Sequence, residues 1–479
     1  MRSKGFVRSG LIAVLFGALA TPAFGAGDPD KLPNMFKSVN NHGIFATYNR
    51  AGAIDLNNPF FKSLGSNGRS CSTCHVPSEG WVITPKGVQE RFEKTQGQDP
   101  LFRLKDGANS PVASVSTVEE RRTAYSILLS KAALRVGIGI PLDAEFTLVE
   151  ADDPYGYAST TELSLFRRPL PSANLKFLSS VMWDARETTP MPGSSDCIYG
   201  TSDCFAPVSS DLLNQANNAT TGHAEALQAL TPEQRNEIVK FESGLFTAQI
   251  HSKDAGNLLV EGANGGPQKL SKQDYYFGIN DTVAGDYVTR ASFNPNVMSL
   301  YDAWNRYNPA ESNQDDSTDN ESSRAAIARG QALFNTKSMQ IANVKGLNDD
   351  LNMSVIPGTC TTCHNAPNSG NHSVPLAVDI GISDESRRTA DMPLYTLQNK
   401  LTGETIKTTD PGRALITGKW KDIGRFKGPV LRGIASRPPY FHDGSAVDLN
   451  AVVDFYNDRF GMGLTELEKA DLVAFLGAL

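Results

Sequence analysis

Beyond its first 25 residues, the 479-residue sequence holds no apolar run that could cross a bilayer. About 18 consecutive apolar residues would be needed, so a spanning helix is excluded from the body of the chain. An excess of basic charge is also missing. Lys and Arg number 45 against 52 Asp and Glu, a net charge of −7, and nothing points to nucleic acid or an anionic membrane surface. Cysteine is scarce, with six in all, and no histidine occurs between His75 and His223. The leading residues have a different character. "MRSKGFVRSG" carries Arg2, Lys4 and Arg8, "LIAVLFGALA" is a short apolar run, and "TPAFG" supplies small residues for cleavage near Gly25–Ala26. Residues 1–25 read as a secretory signal peptide, which implies a mature protein outside the cytoplasm.

The six cysteines divide by spacing. Cys197 and Cys204 sit in "SSDCIYGTSDCF", rich in Ser, Asp and Gly, where an oxidising compartment favours a small disulfide ring. The other four form two Cys-x-x-Cys-His runs, "GRSCSTCHVPSEGW" from residue 68 and "GTCTTCHNAPNSG" from residue 358. This is the attachment sequence of a c-type haem. Two thiols on one turn each form a thioether to a vinyl group, and the next histidine binds the iron. Cys71, Cys74 and His75 would hold one haem, and Cys360, Cys363 and His364 a second. Zinc would need four ligands from one compact cluster, and these pairs lie far apart in the chain. A redox dithiol would need a thioredoxin-like βαβ setting, of which the sequence shows none.

Helical periodicity surrounds the second run. "SSRAAIARGQALF" (322–334) reads as an amphipathic helix, and "LTELEKADLVAFLGAL" (464–479) closes the chain with apolar residues at helical spacing. The polar, acidic "NPAESNQDDSTDNESS" (308–323) reads as a linker, which places a domain boundary near residue 320. "DGANSPVASVSTVEE" (106–120) is a second loop-rich stretch, and residues 130–151 read as a small excursion into strand.

At this point the chain resembles the bacterial dihaem cytochrome c peroxidases, including the related MauG-like enzymes. Four motifs beyond the haem runs carry the resemblance. "RRPLPSANLKFLSSVMWDARE" (167–187) is similar to the family segment whose tryptophan lies between the two haems, which maps to Trp183 with Asp184 and Arg186 beside it; Ala185 replaces a glycine. "LLNQANNATTGHAEA" (212–226) keeps the family's ten-residue interval from glutamine to glutamate, here Gln215 and Glu225, and adds His223; Ala219 replaces a proline. An acid–base residue there would move a proton between the peroxide oxygens. Glu225 and His223 both stand as candidates for that role, and His223 is also a candidate iron ligand. "GRFKGPVLRGIASRPPYFHDGSAVDL" (424–449) matches the family's C-terminal run through Lys427, Pro429, Arg432, Tyr440, His442 and Asp443; His442 is expected near the second haem and its propionates. In "LNAVVDFYNDRF" (449–460), the position of the family's methionine ligand is Tyr456, as in MauG-like enzymes, with Met462 as the alternative sixth ligand. A phenolate lowers the haem potential where a thioether raises it.

The resemblance implies a mostly α-helical protein of two cytochrome c-like haem domains packed face to face, with loop-rich insertions. Residues 26–320 would form the peroxidatic domain, with the Cys197–Cys204 ring in an insertion, and residues 321–479 the electron-transfer domain. It implies reduction of hydrogen peroxide with electrons from a small c-type cytochrome or a cupredoxin, and allows a homodimer. Many family peroxidases block the first iron with a histidine soon after the first haem run. None is present here, so that haem would be open to peroxide. The family also holds calcium between its domains, but its asparagine ligand position is Arg168 here, which makes calcium doubtful. A MauG-like oxidase of a protein or organic substrate, and a non-catalytic dihaem electron carrier, remain as alternatives.

Overall fold

Two segments rich in β-branched and aromatic residues, Gly43–Asn49 and Leu245–Ser252, pair antiparallel in the middle of a four-stranded sheet. Phe36–Asn40 and Gly256–Asn257 complete its edges. The computed structural model describes residues 28–188, 208–306 and 319–479. The leader and the Cys197–Cys204 pair lie outside the described residues.

The expectation of a mostly α-helical protein is not met. Helix of all kinds makes up 31% of the described residues and strand 19%, the latter spread over many small sheets. The sequence reading extrapolated from the haem runs and the two periodic helices. Many strands here are only two to five residues long, and two of the central pairings join segments some 200 residues or more apart, so no local period announces them. Phe146–Asp152, for example, adds to the hairpin Leu394–Asn399/Thr405–Thr408.

The helices form where their signals are strong. Asp319–Thr336 packs along Glu466–Gly477, whose N-terminus carries a capping box from Thr465 and Glu468. The contact is close because Gly330 lies against the Asp471 carbonyl, where a side chain would collide with it. These two helices and Leu449–Phe460 border one hydrophobic core, to which Leu258, Tyr301 and Trp304 also contribute. Smaller cores gather around Phe92 and Leu128, around Phe60 and Trp81, and around Phe177 and Phe246. Between the large core and the small ones lie two deep cavities.

Candidate functional site: two cavities with a shared wall

Each Cys-x-x-Cys-His run makes the same local structure. In the first, Cys71–Thr73 is a single 3-10 turn, and in the second Cys360–Thr362 is its counterpart. The third residue of each turn is threonine, whose hydroxyl accepts the backbone N–H of the residue before the first cysteine, Thr73 from Ser70 and Thr362 from Thr359, both at 3.0 Å. The histidine N–H then reaches back to the first cysteine's carbonyl, at 3.0 Å for His75 and 3.1 Å for His364. Both thiols and the imidazole thus share one turn and border one cavity.

The imidazoles are oriented alike. Nδ1 of His75 lies 3.0 Å from the Trp81 carbonyl and Nδ1 of His364 lies 2.7 Å from that of Gly370, each six residues downstream. A carbonyl only accepts, so Nδ1 carries the proton and Nε2 is left as a ligand. Burial holds both rings neutral, with His75 pushed down to about 4. Burial also raises all four thiols, Cys71 and Cys360 to about 12 and Cys74 and Cys363 to about 11. Redox dithiols act as thiolates, and thiols held protonated by burial do not suit that chemistry. They suit a large apolar cofactor held by thioethers.

The first cavity, of about 210 Å³, is bordered by Cys71, Cys74 and His75. The second, of about 220 Å³, is bordered by Cys360, Cys363 and His364. Arg168–Pro171, Trp183, Lys427 and Pro429 line both and form the wall between them. Trp183 is fixed there because its Nε1 donates to the Arg168 carbonyl at 2.8 Å. Next to it, buried Asp184 accepts from Arg167 at 2.5 Å and Arg186 at 2.9 Å. Ala185 adopts φ +54°, a left-handed conformation that explains why glycine suits this position. Lys427 is fully buried with no carboxylate beside it, and burial, with Arg437 nearby, pushes its ammonium down to about 7. Burial likewise lowers Arg168 and Arg437 to about 10. Lys427, buried in the wall with no carboxylate beside it among the described residues, fits an occupant bearing carboxylates, as haem does with its propionates.

The first cavity is also lined by the helix Val208–Gly222 and the turn after it. Gln215 and His223 line the cavity, whereas Glu225 does not. The helix ends at Gly222, Glu225 sits at φ +54°, and its carbonyl accepts from Ser66 at 2.8 Å. The His223 carbonyl is gripped by Asn67 at 2.9 Å and Arg69 at 3.3 Å. Its ring Nδ1 lies 2.8 Å from Oδ2 of Asp106, which also accepts from Arg69 at 2.7 Å. Burial would raise the Asp106 carboxyl, but the His223 hydrogen bond and the Arg69 charge outweigh it and hold it below the usual carboxylate range. A second carboxyl in the lining, Glu242, has no such partner: burial pushes it up to about 8, Ser172 offsets little of that, and its Oε1 is unpaired.

The second cavity has a more apolar far side. Tyr456 and Met462 both line it, with Phe460, Val452 and Leu472. Burial, reinforced by the nearby Cys363 and Cys360 sulfurs, raises the Tyr456 phenol. His372, buried, lines this cavity as well. Two other candidates from the sequence line neither cavity. His442 lies behind Trp183, stacked on Phe426 at 4.3 Å. Arg432 is buried and donates to the carbonyls of Leu479, Asn368 and Gly266.

Sequence reasoning missed Asp106, Arg69 and Glu242. Asp106 opens a stretch that reads as loop, and Glu242 lies within a helix, Pro232–Ser243, whose other apolar positions signal only burial. The one available hint for Arg69 was its position two residues before Cys71.

No family model matches the chain. Its curated relatives include the cytochrome-c peroxidase IdrP2 of Denitromonas iodatirespirans, 31% identical over 132 residues, which are 26% of this chain and 36% of that protein. The cytochrome-c peroxidase IdrP1 of Pseudomonas sp. (strain SCT) is 29% identical over 171 residues, 32% of this chain and 39% of that protein. The chain therefore matches little more than a third of the length of these relatives. Among solved structures, a MauG-like protein associated with microbial copper homeostasis covers 88% of this chain and 86% of its own, at 16% identity and a TM-score of 0.37, too distant to bear on function. Through the curated matches, the chain is a relative of the cytochrome-c peroxidases, as its motifs led us to expect.

Proposed function

We propose that this chain is a dihaem c-type cytochrome peroxidase that reduces hydrogen peroxide to water. The observation that carries the reading is the pair of cavities, each bordered by its own Cys-x-x-Cys-His turn and both meeting at a wall that contains Trp183. Cys71 and Cys74 would attach one haem and Cys360 and Cys363 the other, with His75 and His364 as iron ligands. Haem supplies the redox chemistry that breaks an O–O bond. In the first cavity, Asp106 accepts the Nδ1 proton of His223. Nε2 is then the nitrogen that takes a proton from one peroxide oxygen and returns it to the departing one. Gln215, about two turns back on the helix and also in the cavity lining, would orient the substrate by its amide. Two further protons and two electrons complete two waters. The electrons come from a small c-type cytochrome or a cupredoxin by way of the second cavity, and Trp183 stands in the wall they cross. The setting is the periplasm.

A second reading draws on Tyr456. A phenolate ligand at the second iron would lower its potential and favour a MauG-like, peroxide-dependent oxidation of a protein or organic substrate. Tyr456 and Met462 both line that cavity, so the choice of ligand separates the two readings.

The test is an EPR and optical spectrum of the oxidised holoprotein before and after stoichiometric peroxide. A high-spin haem that changes with peroxide supports the peroxidase. Two low-spin haems that ignore peroxide, before and after partial reduction, would leave only an electron carrier with His223 on the first iron.

A further inference from the structure

The resemblance implies a calcium ion between the two halves, and the residues of this chain do not fit one. The position of the family's asparagine ligand is Arg168, and its side chain is buried among backbone oxygens. Nη1 donates to the Lys131 carbonyl at 2.6 Å. Nη2 faces the carbonyls of Ile83 at 3.1 Å, Pro438 at 3.3 Å and Arg437 at 3.4 Å. These oxygens come from three separate segments: the approach to helix Pro85–Thr95, the end of helix Ser126–Lys131, and the loop before Tyr440. Among the described residues no carboxylate contacts the guanidinium, and no group of three or more His, Cys, Asp or Glu side chains could hold a metal ion.

We propose that the Arg168 guanidinium is a cation built into the chain that does the work of a bridging divalent ion, so that this protein needs no calcium. Carbonyl oxygens that converge in a buried space need hydrogen-bond donors or a cation to satisfy them. Calcium answers that need with six to eight oxygens and a preference for carboxylates. A guanidinium answers it with a flat fork of N–H donors that stays charged when buried. It differs in one consequence: a side chain cannot be chelated or diluted away. Arg168 is also a positioning residue for the wall between the cavities. Its N–H donates to the His442 carbonyl at 2.6 Å and its carbonyl holds the Trp183 indole. The cation that ties the three segments thus sets where Trp183 stands.

The test compares the melting temperature of the holoprotein in EDTA and in millimolar calcium, with bound calcium measured after dialysis. The expected result is no difference in Tm and no retained calcium. One calcium retained per chain, or a Tm that falls in EDTA and recovers specifically with calcium, overturns the proposal. In Arg168→Asn the carbonyls lose their cation and Tm should fall by about 5 °C or more, with part of the loss restored by calcium. A variant Tm equal to that of the parent in EDTA would show that the guanidinium holds nothing together, and would also overturn it. If the variant does not fold, the calcium assay on the parent still decides.

Discussion

The two cavities begin alike and end differently. Their attachment turns share a threonine hydroxyl bond, a histidine tied back to the first cysteine, and a carbonyl six residues on that fixes the imidazole. Beyond the turn the likeness stops. The first cavity presents Gln215, His223, Asp106, Arg69 and Glu242, and the second presents Tyr456, Met462, His372 and aliphatic and aromatic side chains. Groups that accept and release protons serve bond-breaking, whereas a dry, aromatic wall serves an electron relay. The difference argues that the turn fixes the cofactor and the rest of the lining assigns its task.

The strongest way to break this comparison is to empty one side. Replacing Cys360 and Cys363 with Ser together should halve the haem content by pyridine haemochrome and abolish donor-driven turnover, while the first haem keeps its spectrum. Loss of both haems would mean that the cavities do not fill independently. The next largest effect is expected in the first cavity. His223→Gln should slow the stopped-flow reaction with peroxide by about 10²-fold or more. Asp106→Asn should slow it less and alter its pH profile, because the amide no longer fixes the imidazole tautomer. The charged groups near that histidine are Asp106 and Arg69, with Lys105 on the neighbouring Gly222 carbonyl, and the neutral His75 shares its cavity. Glu225→Gln should leave the rate unchanged; the opposite ranking would return the proton-moving role to Glu225.

Smaller effects sharpen the contrast. Tyr456→Phe should shift the absorption and potential of the second haem, and Met462→Leu should not; the reverse pattern names the thioether as ligand. The smallest effect concerns Glu242. Its carboxyl is raised from 4.5 to about 8 by burial, so the folded state holds a proton that the unfolded state releases over that interval. Its contribution to stability is therefore full below pH 4.5 and is lost as pH rises towards about 8. Glu242→Gln should flatten the decline of Tm across that window, and an unchanged decline would mean that another group causes it.

Much of the site could be read from the sequence because its chemistry demands particular residues at fixed spacing. Cys71, Cys74 and His75, and their counterparts at 360–364, border the cavities, and Trp183 stands at both. Tyr456 came from the resemblance alone, and it lines the second cavity together with Met462. What could not be read depends on long-range closure. Gly43–Asn49 meets Leu245–Ser252, and Phe146–Asp152 meets Leu394–Asn399, so the strand content escaped a reading built on local period. Asp106 gains its meaning only when the turn after Gly222 docks on residues 65–69, as Gly65 against the Ala224 carbonyl requires. Glu225 shows the opposite error: the ten-residue interval from Gln215 survives, but the helix stops short and the backbone turns the residue away.

The carbonyl that orients each imidazole deserves a last comparison. Gly370 lies at φ +71°, and a Cβ there would meet Leu431 and Met298 at 2.9 Å, so only glycine fits. Trp81 takes almost the same backbone conformation, φ +65°, with a full side chain. Its indole donates to Thr47 at 2.9 Å and packs edge-on against Phe60 and Phe241. The cost of that left-handed backbone, about 1–2 kcal/mol, is offset by the aromatic core. The two histidines therefore stand on different footings for change over evolution. The carbonyl that orients His364 is held by a position only glycine fits, whereas the one that orients His75 can be retuned by repacking the aromatic core on which Trp81 and Phe60 sit. Of the two sites, the first is the one whose chemistry substitutions outside it can reach.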